Sequence, residues 1–154
     1  MCCQEIIRFF DASPHCLTEN TTVAEGDGKK FRIQAFSPEE RFCRLLVDGG
    51  LIRADSIRKC DFWMRRCLKL ENYFIEFKSG NSQDIRHSME QIGSTIAEAR
   101  SRKIPLPKNS ISGFIIANKV PLAKNEIQIL KEEFKKQYGT ALVIKSRECT
   151  HPVR

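Results

Sequence analysis

The clearest pattern of apolar and polar positions along the chain lies in residues 83–102. Apolar side chains recur there at steps of four and three, which places them on one face of a helix. These residues are Ile85, Met89, Ile92, Ile96 and Ala99. A second amphipathic pattern predicts a helix over residues 123–138, and uninterrupted apolar runs at 113–117 and 141–144 are typical of buried strands. The C-terminal half therefore predicts two helix–strand units.

The middle of the chain predicts a helix followed by three strands. Ser37-Pro38-Glu39-Glu40 is typical of a helix start, with Ser at the N-cap and Pro at the first helical position, and Gly49-Gly50 would end that helix. Strands are predicted at 51–54, 58–67 and 72–78. We expect the last two to form a hairpin that turns near residues 69–71.

The regions around this core carry weaker patterns. Apolar residues within 6–10 predict a helix or strand that pads the core, and alternation over residues 30–35 predicts a short, half-buried strand. Residues 79–82 predict a break that caps the following helix. Residues after Lys145 are expected to fray.

Together these elements predict one α/β domain. The chain has 154 residues, the usual size of a single domain. It would comprise an N-terminal extension (1–30), a core of helix, three strands, helix and strand (37–120), and a C-terminal helix and strand (121–147). A hydrophobic content of 41% and a charged content of 29% exclude a disordered or collagen-like chain.

Net charge and cysteine content predict the partners and the cellular compartment of this domain. The net charge is +7, and the excess lies outside residues 1–30, which hold five acidic and three basic residues. A basic body favours polyanionic partners, nucleic acid first, although solubility alone also explains it. Seven cysteines, an odd number, without a recognisable export signal, predict reduced thiols in a cytoplasmic protein. No apolar stretch is long enough to predict a membrane partner.

The strand over residues 72–78 carries unexpected charge. Side chains alternate along a strand, so Tyr73, Ile75 and Phe77 share one face while Phe74, Glu76 and Lys78 share the other. Asp61 interrupts the preceding apolar strand, and in a hairpin it would lie beside Glu76. Two adjacent carboxylates repel each other, and hard oxygen ligands favour Mg²⁺ or Mn²⁺ over zinc. A nearby lysine could then orient and help deprotonate a metal-bound water.

Asp61 followed by Glu76-Phe77-Lys78 resembles the Asp…Glu-x-Lys signature of the PD-(D/E)xK nuclease superfamily, which includes restriction endonucleases and Holliday-junction resolvases. The resemblance covers about residues 37–120 and implies a restriction-endonuclease-like αβββαβ core with a mixed central sheet flanked by helices. It also implies a catalytic role for each residue that matches the motif.

By this resemblance Asp61 and Glu76 would bind the metal, with the backbone carbonyl of Phe77 as a third ligand, and Lys78 would position the attacking water. Family members often add a glutamate from the first helix, a place taken here by Glu40 or Glu39. Some carry a Gln in the helix after the Glu-x-Lys strand, with Tyr four residues later; this chain has Gln91 with Thr95, on a polar stripe that begins at Ser88.

Each of these assignments has a structural alternative. The motif residues could form a salt-bridge cluster at a sheet end, Gln91 could be solvated, and acidic residues favour any helix start. Trp63 could be a core residue or stack on a base. Basic residues near the hairpin could contact phosphates or only protect a solvated edge strand; they are Arg53, Arg58, Lys59, Arg65, Arg66 and Lys69.

A zinc site is a further alternative, because His15-Cys16 and Cys2-Cys3 supply suitable ligands. The spacing lacks the C-x-x-C pair that such sites usually contain.

The leading functional hypothesis is a Mg²⁺-dependent endo- or exodeoxyribonuclease that acts on DNA, with RNA as a possible substrate. A second hypothesis is a non-catalytic nucleic-acid-binding or assembly module that keeps the nuclease fold. A third is a subunit of a larger defence or toxin–immunity complex in which residues 1–30 contact a partner. Many nucleases act as homodimers, but no feature of the sequence fixes an interface.

Overall fold

A six-stranded mixed sheet forms the centre of the protein. The structure, a computed structural model, describes residues 2–78, 82–120 and 123–154. In chain order the elements are α1 (Gln4–Phe9), β1 (Leu17–Glu19), β2 (Val23–Gly26), β3 (Lys29–Ala35), β4 (Phe42–Leu46), β5 (Phe62–Arg66), β6 (Glu71–Lys78), α2 (Ser82–Ser101), β7 (Ile111–Ala117), α3 (Lys124–Tyr138), β8 (Leu142–Ser146) and β9 (Glu148–Val153).

The central sheet has the order β1-β4-β5-β6-β7-β8. Strands β4, β5 and β6 form an antiparallel meander, whereas β6, β7 and β8 are parallel. Parallel neighbours need a crossover connection, which α2 and α3 provide. A second sheet of three strands has the order β2-β3-β9, with β9 parallel to β3.

The central sheet lies between the helices and the second sheet. One core, between the central sheet and the helices, contains Trp63 and Phe74 together with Ile92 of α2. The other core, between the two sheets, contains Phe31 of β3 and the alternate residues of β6. The predicted alternation along β6 is therefore confirmed, because Phe74 lies in the first core and Tyr73, Ile75 and Phe77 lie in the second.

The C-terminal half of the prediction is confirmed. The structure has both amphipathic helices and both buried strands at the expected places, and the hairpin of β5 and β6 forms as expected. The apolar segment near the N-terminus is the helix α1, which buries Ile6 and Ile7 in the core. The predicted break at 79–81 lies outside the described residues.

The helix predicted from Ser37 is wrong. The Ser37 hydroxyl does accept a hydrogen bond from the Glu39 N–H at 3.3 Å, as a cap would, but the chain then enters strand β4. Pairing of β4 with both β1 and β5 overrides the local helix signal. The core therefore does not begin with a helix at residue 37.

Two further predictions are corrected. Residues 51–54 form a tight loop rather than a strand, in which the N–H groups of Leu51 and Ile52 bond back to residues 46 and 47. The C-terminal tail is ordered as β9, because pairing with β3 buries Cys149 and Val153 in the second core. Among the described residues, none of the helices combines the length and the apolarity needed to cross a bilayer.

Candidate functional site

The β5–β6 hairpin brings Asp61 to Glu76. The last residue pair of the hairpin joins Phe62 to Ile75, so that Asp61 lies opposite Glu76 where β5 begins. The Asp61 N–H donates to the Ile75 carbonyl at 3.1 Å. One carboxylate oxygen of Asp61 accepts a hydrogen bond from the Phe77 N–H at 2.8 Å. The Asp61 side chain is thereby held against the strand that carries Glu76.

Glu76 is a buried carboxyl group whose oxygens have no hydrogen-bond partner. Its side chain is 1% exposed, and Oε1 and Oε2 are both buried and unpartnered within the described structure. The Nζ of Lys78 lies 3.7 Å from Oε2, too far for a good hydrogen bond. Burial, and then the negative charge of Asp61, raise the pKa of Glu76 to about 9, whereas Lys78 lowers it.

Helix α2 fixes the segment that leads into Asp61. The Thr95 hydroxyl accepts a hydrogen bond from the Cys60 N–H at 2.9 Å and donates to the Gln91 carbonyl at 2.9 Å. The Gln91 side-chain nitrogen donates to the Lys59 carbonyl at 3.2 Å. Gln91 Oε1 and the Ser88 hydroxyl oxygen are buried without a partner. Gln91 and Thr95, on the predicted polar stripe of α2, therefore contact the segment that leads into β5. Thr95, which stands where the family pattern has tyrosine, holds Cys60, the residue next to Asp61.

The structure does not bring Glu40 or Glu39 to this site. Glu40 is bound to the Arg66 guanidinium, which lies at the opposite end of β5 from Asp61. Glu39 is exposed in the turn that precedes β4. The prediction placed both glutamates on a helix. Because the chain forms a turn there instead, their side chains point in other directions than expected.

Three of the six basic residues predicted to contact nucleic acid are buried and bound within the protein. The Lys59 ammonium donates to the Ala54 carbonyl at 2.6 Å, and the Arg65 Nε donates to Asn72 Oδ1 at 2.9 Å. Arg66 forms ion pairs with two glutamates. These three contact predictions are therefore corrected.

The other three predicted contact residues are exposed. Arg53 and Arg58 precede β5, on the side of Asp61, and the Arg58 guanidinium donates to Glu90 at 2.7 Å. Lys69 lies in the turn of the hairpin, at the opposite end. Trp63 is a core residue with no exposed surface, and its indole N–H donates to Asn72 at 3.0 Å, so it is not placed to stack on a base.

The chemistry available at this site is that of hard oxygen donors. Buried, unpartnered acceptors cost free energy unless a proton or a cation satisfies them. The neighbouring Cys60 does not supply a nucleophile, because burial raises the pKa of its thiol far above the ordinary value and Glu76 and Asp61 raise it further. The carboxylates of Asp61 and Glu76 offer oxygen donors of the kind that hard divalent cations bind.

Comparison of the chain with protein-family models, with curated proteins and with solved structures finds no match. A functional proposal therefore depends on the residues of the site and on the order of the strands that hold them.

Proposed function

We propose that the protein is a metal-dependent nuclease that hydrolyses phosphodiester bonds in DNA, with Asp61, Glu76 and Lys78 as its central residues. One observation carries the proposal: Glu76 is 1% exposed, has no hydrogen-bond partner on either oxygen among the described residues, and lies opposite a second carboxylate. A salt-bridge cluster built for stability would satisfy those oxygens, because buried polar groups are almost always hydrogen-bonded.

The order of elements supports a restriction-endonuclease-like core. Strands β4, β5 and β6 form a meander, and α2 then crosses to β7, which lies parallel to β6. This is the βββαβ part of the order that the resemblance implies. A helix also precedes the meander, but it is α1, separated from β4 by three short strands.

The residues present fit Mg²⁺ or Mn²⁺. Asp61 and Glu76 offer carboxylate oxygens, the ligands that these ions prefer. The N–H and carbonyl of one strand residue point to the same edge, and the Phe77 N–H is directed at Asp61, so the Phe77 carbonyl is available on that side. When bound, the cation would act as a Lewis acid that offsets developing negative charge on the phosphodiester and activates water at neutral pH.

The other side chains have supporting roles. Lys78 is 37% exposed with its ammonium 3.7 Å from Glu76, so it can reach a water at the mouth of the site and orient it by hydrogen bonding. Gln91 and Thr95 hold the Lys59–Cys60 backbone and thus position Asp61. Arg53 and Arg58 remain as exposed cations that could contact phosphates beside the site.

A cleavage assay tests this proposal. Wild type and the variants Asp61→Asn, Glu76→Gln and Lys78→Ala are incubated with plasmid and linear DNA in Mg²⁺, and with RNA in parallel. We expect Mg²⁺-dependent products from wild type and a loss of about 10²–10⁴-fold in rate for Lys78→Ala, as for other groups that transfer or orient protons. The carboxylate variants should lose at least as much.

Glu132→Gln is the matched control, since it removes an exposed carboxylate from α3 and should leave the rate unchanged. Equal cleavage by wild type and Asp61→Asn would refute the nuclease proposal. Salt-sensitive DNA binding without any Mg²⁺-dependent product would favour the non-catalytic binding module instead.

A further inference from the structure

Four cysteines converge at the end of the central sheet opposite to Asp61 and Glu76. Cys2 and Cys3 directly precede α1, Cys43 lies in β4, and Cys67 follows β5. Their four sulfur atoms all lie within 4.8 Å of one another. The zinc ligands considered from the sequence are therefore corrected, because His15 and Cys16 do not belong to this cluster and Cys43 and Cys67 do.

The cluster is more compact than two independent disulfides require. The structure pairs Cys2 with Cys67 and Cys3 with Cys43. Yet Cys2 Sγ also lies 3.5 Å from Cys43 Sγ and 3.6 Å from Cys3 Sγ. A tetrahedral ion with metal–sulfur bonds of ~2.3 Å places its four sulfurs about 3.8 Å apart. The distances from Cys2 Sγ to the sulfurs of the other pair thus match the spacing of ligands around one ion, whereas the sulfurs within each pair are bonded.

A buried cation next to the cluster has no ion-pair partner among the described residues, although the negative charge of Glu5 acts on it from a distance. Arg65 is 6% exposed, and its Nη1 donates to the Cys2 carbonyl at 3.2 Å. Its remaining hydrogen bond goes to the neutral Asn72, and within the part of the chain that the structure describes it forms no ion pair. Four thiolates around a divalent ion carry a net charge of −2, which would offset the single positive charge of Arg65 and leave −1, whereas two disulfides are neutral.

We propose that Cys2, Cys3, Cys43 and Cys67 form a tetrathiolate zinc site. An all-cysteine, closed set of four ligands is the usual composition of a structural zinc centre. The site would join α1 to β4 and to the β5–β6 turn, which lie 40 and 65 residues away along the chain. The zinc site goes beyond the nuclease proposal, and its test does not depend on whether the protein cleaves DNA.

Metal analysis of the full chain, purified without added metal or oxidant, tests the site. We expect about one zinc ion per chain in the wild type and near-complete loss in Cys43→Ser and Cys67→Ser. Cys16→Ser is the matched control, because Cys16 is a buried free cysteine outside the cluster and its replacement should leave zinc bound. Asp61→Asn should also retain zinc, which separates this site from the one proposed for Mg²⁺.

A second measurement keeps the proposal testable if the serine variants do not fold. Wild type with Co²⁺ in place of zinc should show the intense visible absorption of a tetrahedral thiolate site. A metal-free chain whose intact mass is lower by four hydrogen atoms would overturn the proposal in favour of two disulfides. Stoichiometric iron with inorganic sulfide would overturn the assignment of zinc.

Discussion

Arg66 and Glu76 are buried ionisable side chains at opposite ends of the β5–β6 hairpin, and their surroundings differ. At one end Arg66 is 5% exposed, and it donates to Glu71 at 2.6 Å, to Glu40 at 3.1 Å and to the Arg154 carbonyl at 2.8 Å. At the other end Glu76 is 1% exposed, with the Lys78 ammonium 3.7 Å away and, within the described part of the chain, no hydrogen bond to its carboxyl oxygens. Of these two side chains, only Arg66 has hydrogen-bonded, oppositely charged partners among the described residues.

This difference distinguishes a structural ion pair from a binding site. An unsatisfied buried acceptor costs about 1–3 kcal/mol, which a purely structural role does not justify. The hydrogen bonds that Arg66 donates to Glu40 raise the pKa of Arg66, so that its charge is stabilised by the fold. Burial of Glu76 instead raises its pKa to about 9, so that the fold alone favours its neutral form. The missing partner of Glu76 is what a cation would supply.

The largest effect is expected from removing Arg66 and thereby its ion pairs with Glu40 and Glu71. Arg66→Ala leaves Glu40, whose side chain is 9% exposed, as a buried charge without its partner. Removing one member of a buried pair typically costs about 3–5 kcal/mol. Urea denaturation should show a loss of that size in the free energy of unfolding.

Arg53→Ala is the control for this measurement, since it removes an exposed arginine from the loop before β5. We expect a change within about 0.5 kcal/mol, as for most surface substitutions. A similarly small effect of Arg66→Ala would mean that the two ends of the hairpin do not differ as described.

The second prediction concerns pH. The folded-state pKa of Glu76 is about 9, above the ordinary value of 4.5, so the folded chain keeps a proton that the unfolded chain has lost between these pH values. This contribution to stability is complete below pH 4.5 and is lost as pH rises toward 9. Glu76→Gln, which does not ionise, should therefore be more stable than wild type at pH 8, by on the order of 3 kcal/mol.

Denaturation curves at pH 5 and pH 8 without added divalent cation check this prediction. The variant should gain its advantage mainly at the higher pH, whereas Glu132→Gln should follow wild type at both. A constant difference between Glu76→Gln and wild type at the two pH values would contradict a raised pKa.

The third prediction is that Mg²⁺ binding at Asp61 and Glu76 stabilises the folded protein. At about 100 times its Kd, Mg²⁺ should raise the free energy of unfolding by about 2.7 kcal/mol. Because Glu76 must lose its proton to bind a cation, the affinity should increase with pH up to about 9. Thermal unfolding in matched ionic strength measures the shift, which Asp61→Asn should abolish. Equal shifts in wild type and Asp61→Asn would exclude the carboxylates as ligands.

The sequence predicts those parts of the fold whose signal is local and repeated. Helix α2 shows five apolar positions on one face, and β6 alternates between two cores, so both are found at their expected places. Strand β4 is different, because its partners β1 and β5 lie elsewhere in the chain. The local Ser37 cap signal therefore suggested a helix where long-range pairing produces a strand.

In the candidate site too, some features could be predicted from local sequence and others could not. The hairpin register alone placed Asp61 opposite Glu76, because two strands joined by a short turn pair in a predictable manner. The position of Glu40, and the burial of Lys59 and Arg65, depend on loops and on the N-terminal segment, for which no periodic pattern exists. The cysteine cluster is formed by residues 40 and 65 positions apart, a distance over which spacing carries no information.

The smallest predicted effect concerns α2, the helix that holds the backbone next to Asp61. Thr95→Val keeps the shape of the side chain but removes the oxygen that accepts the Cys60 N–H at 2.9 Å. We expect a loss of about 1 kcal/mol in the free energy of unfolding, the net value of one hydrogen bond. Mg²⁺ affinity should fall as well, since the backbone next to Asp61 is released, and Thr95→Ser should restore both properties.

Thr140→Val is the matched control for this substitution, because the Thr140 hydroxyl is buried without a hydrogen-bond partner in the structure. Its replacement removes no interaction, so stability should stay constant or rise slightly. If Thr95→Val lowered stability but left Mg²⁺ affinity unchanged, α2 would hold the strand without positioning Asp61. Loss of affinity in excess of the loss in stability would instead identify Thr95 as a positioning residue, through which the helix determines how the two carboxylates face each other.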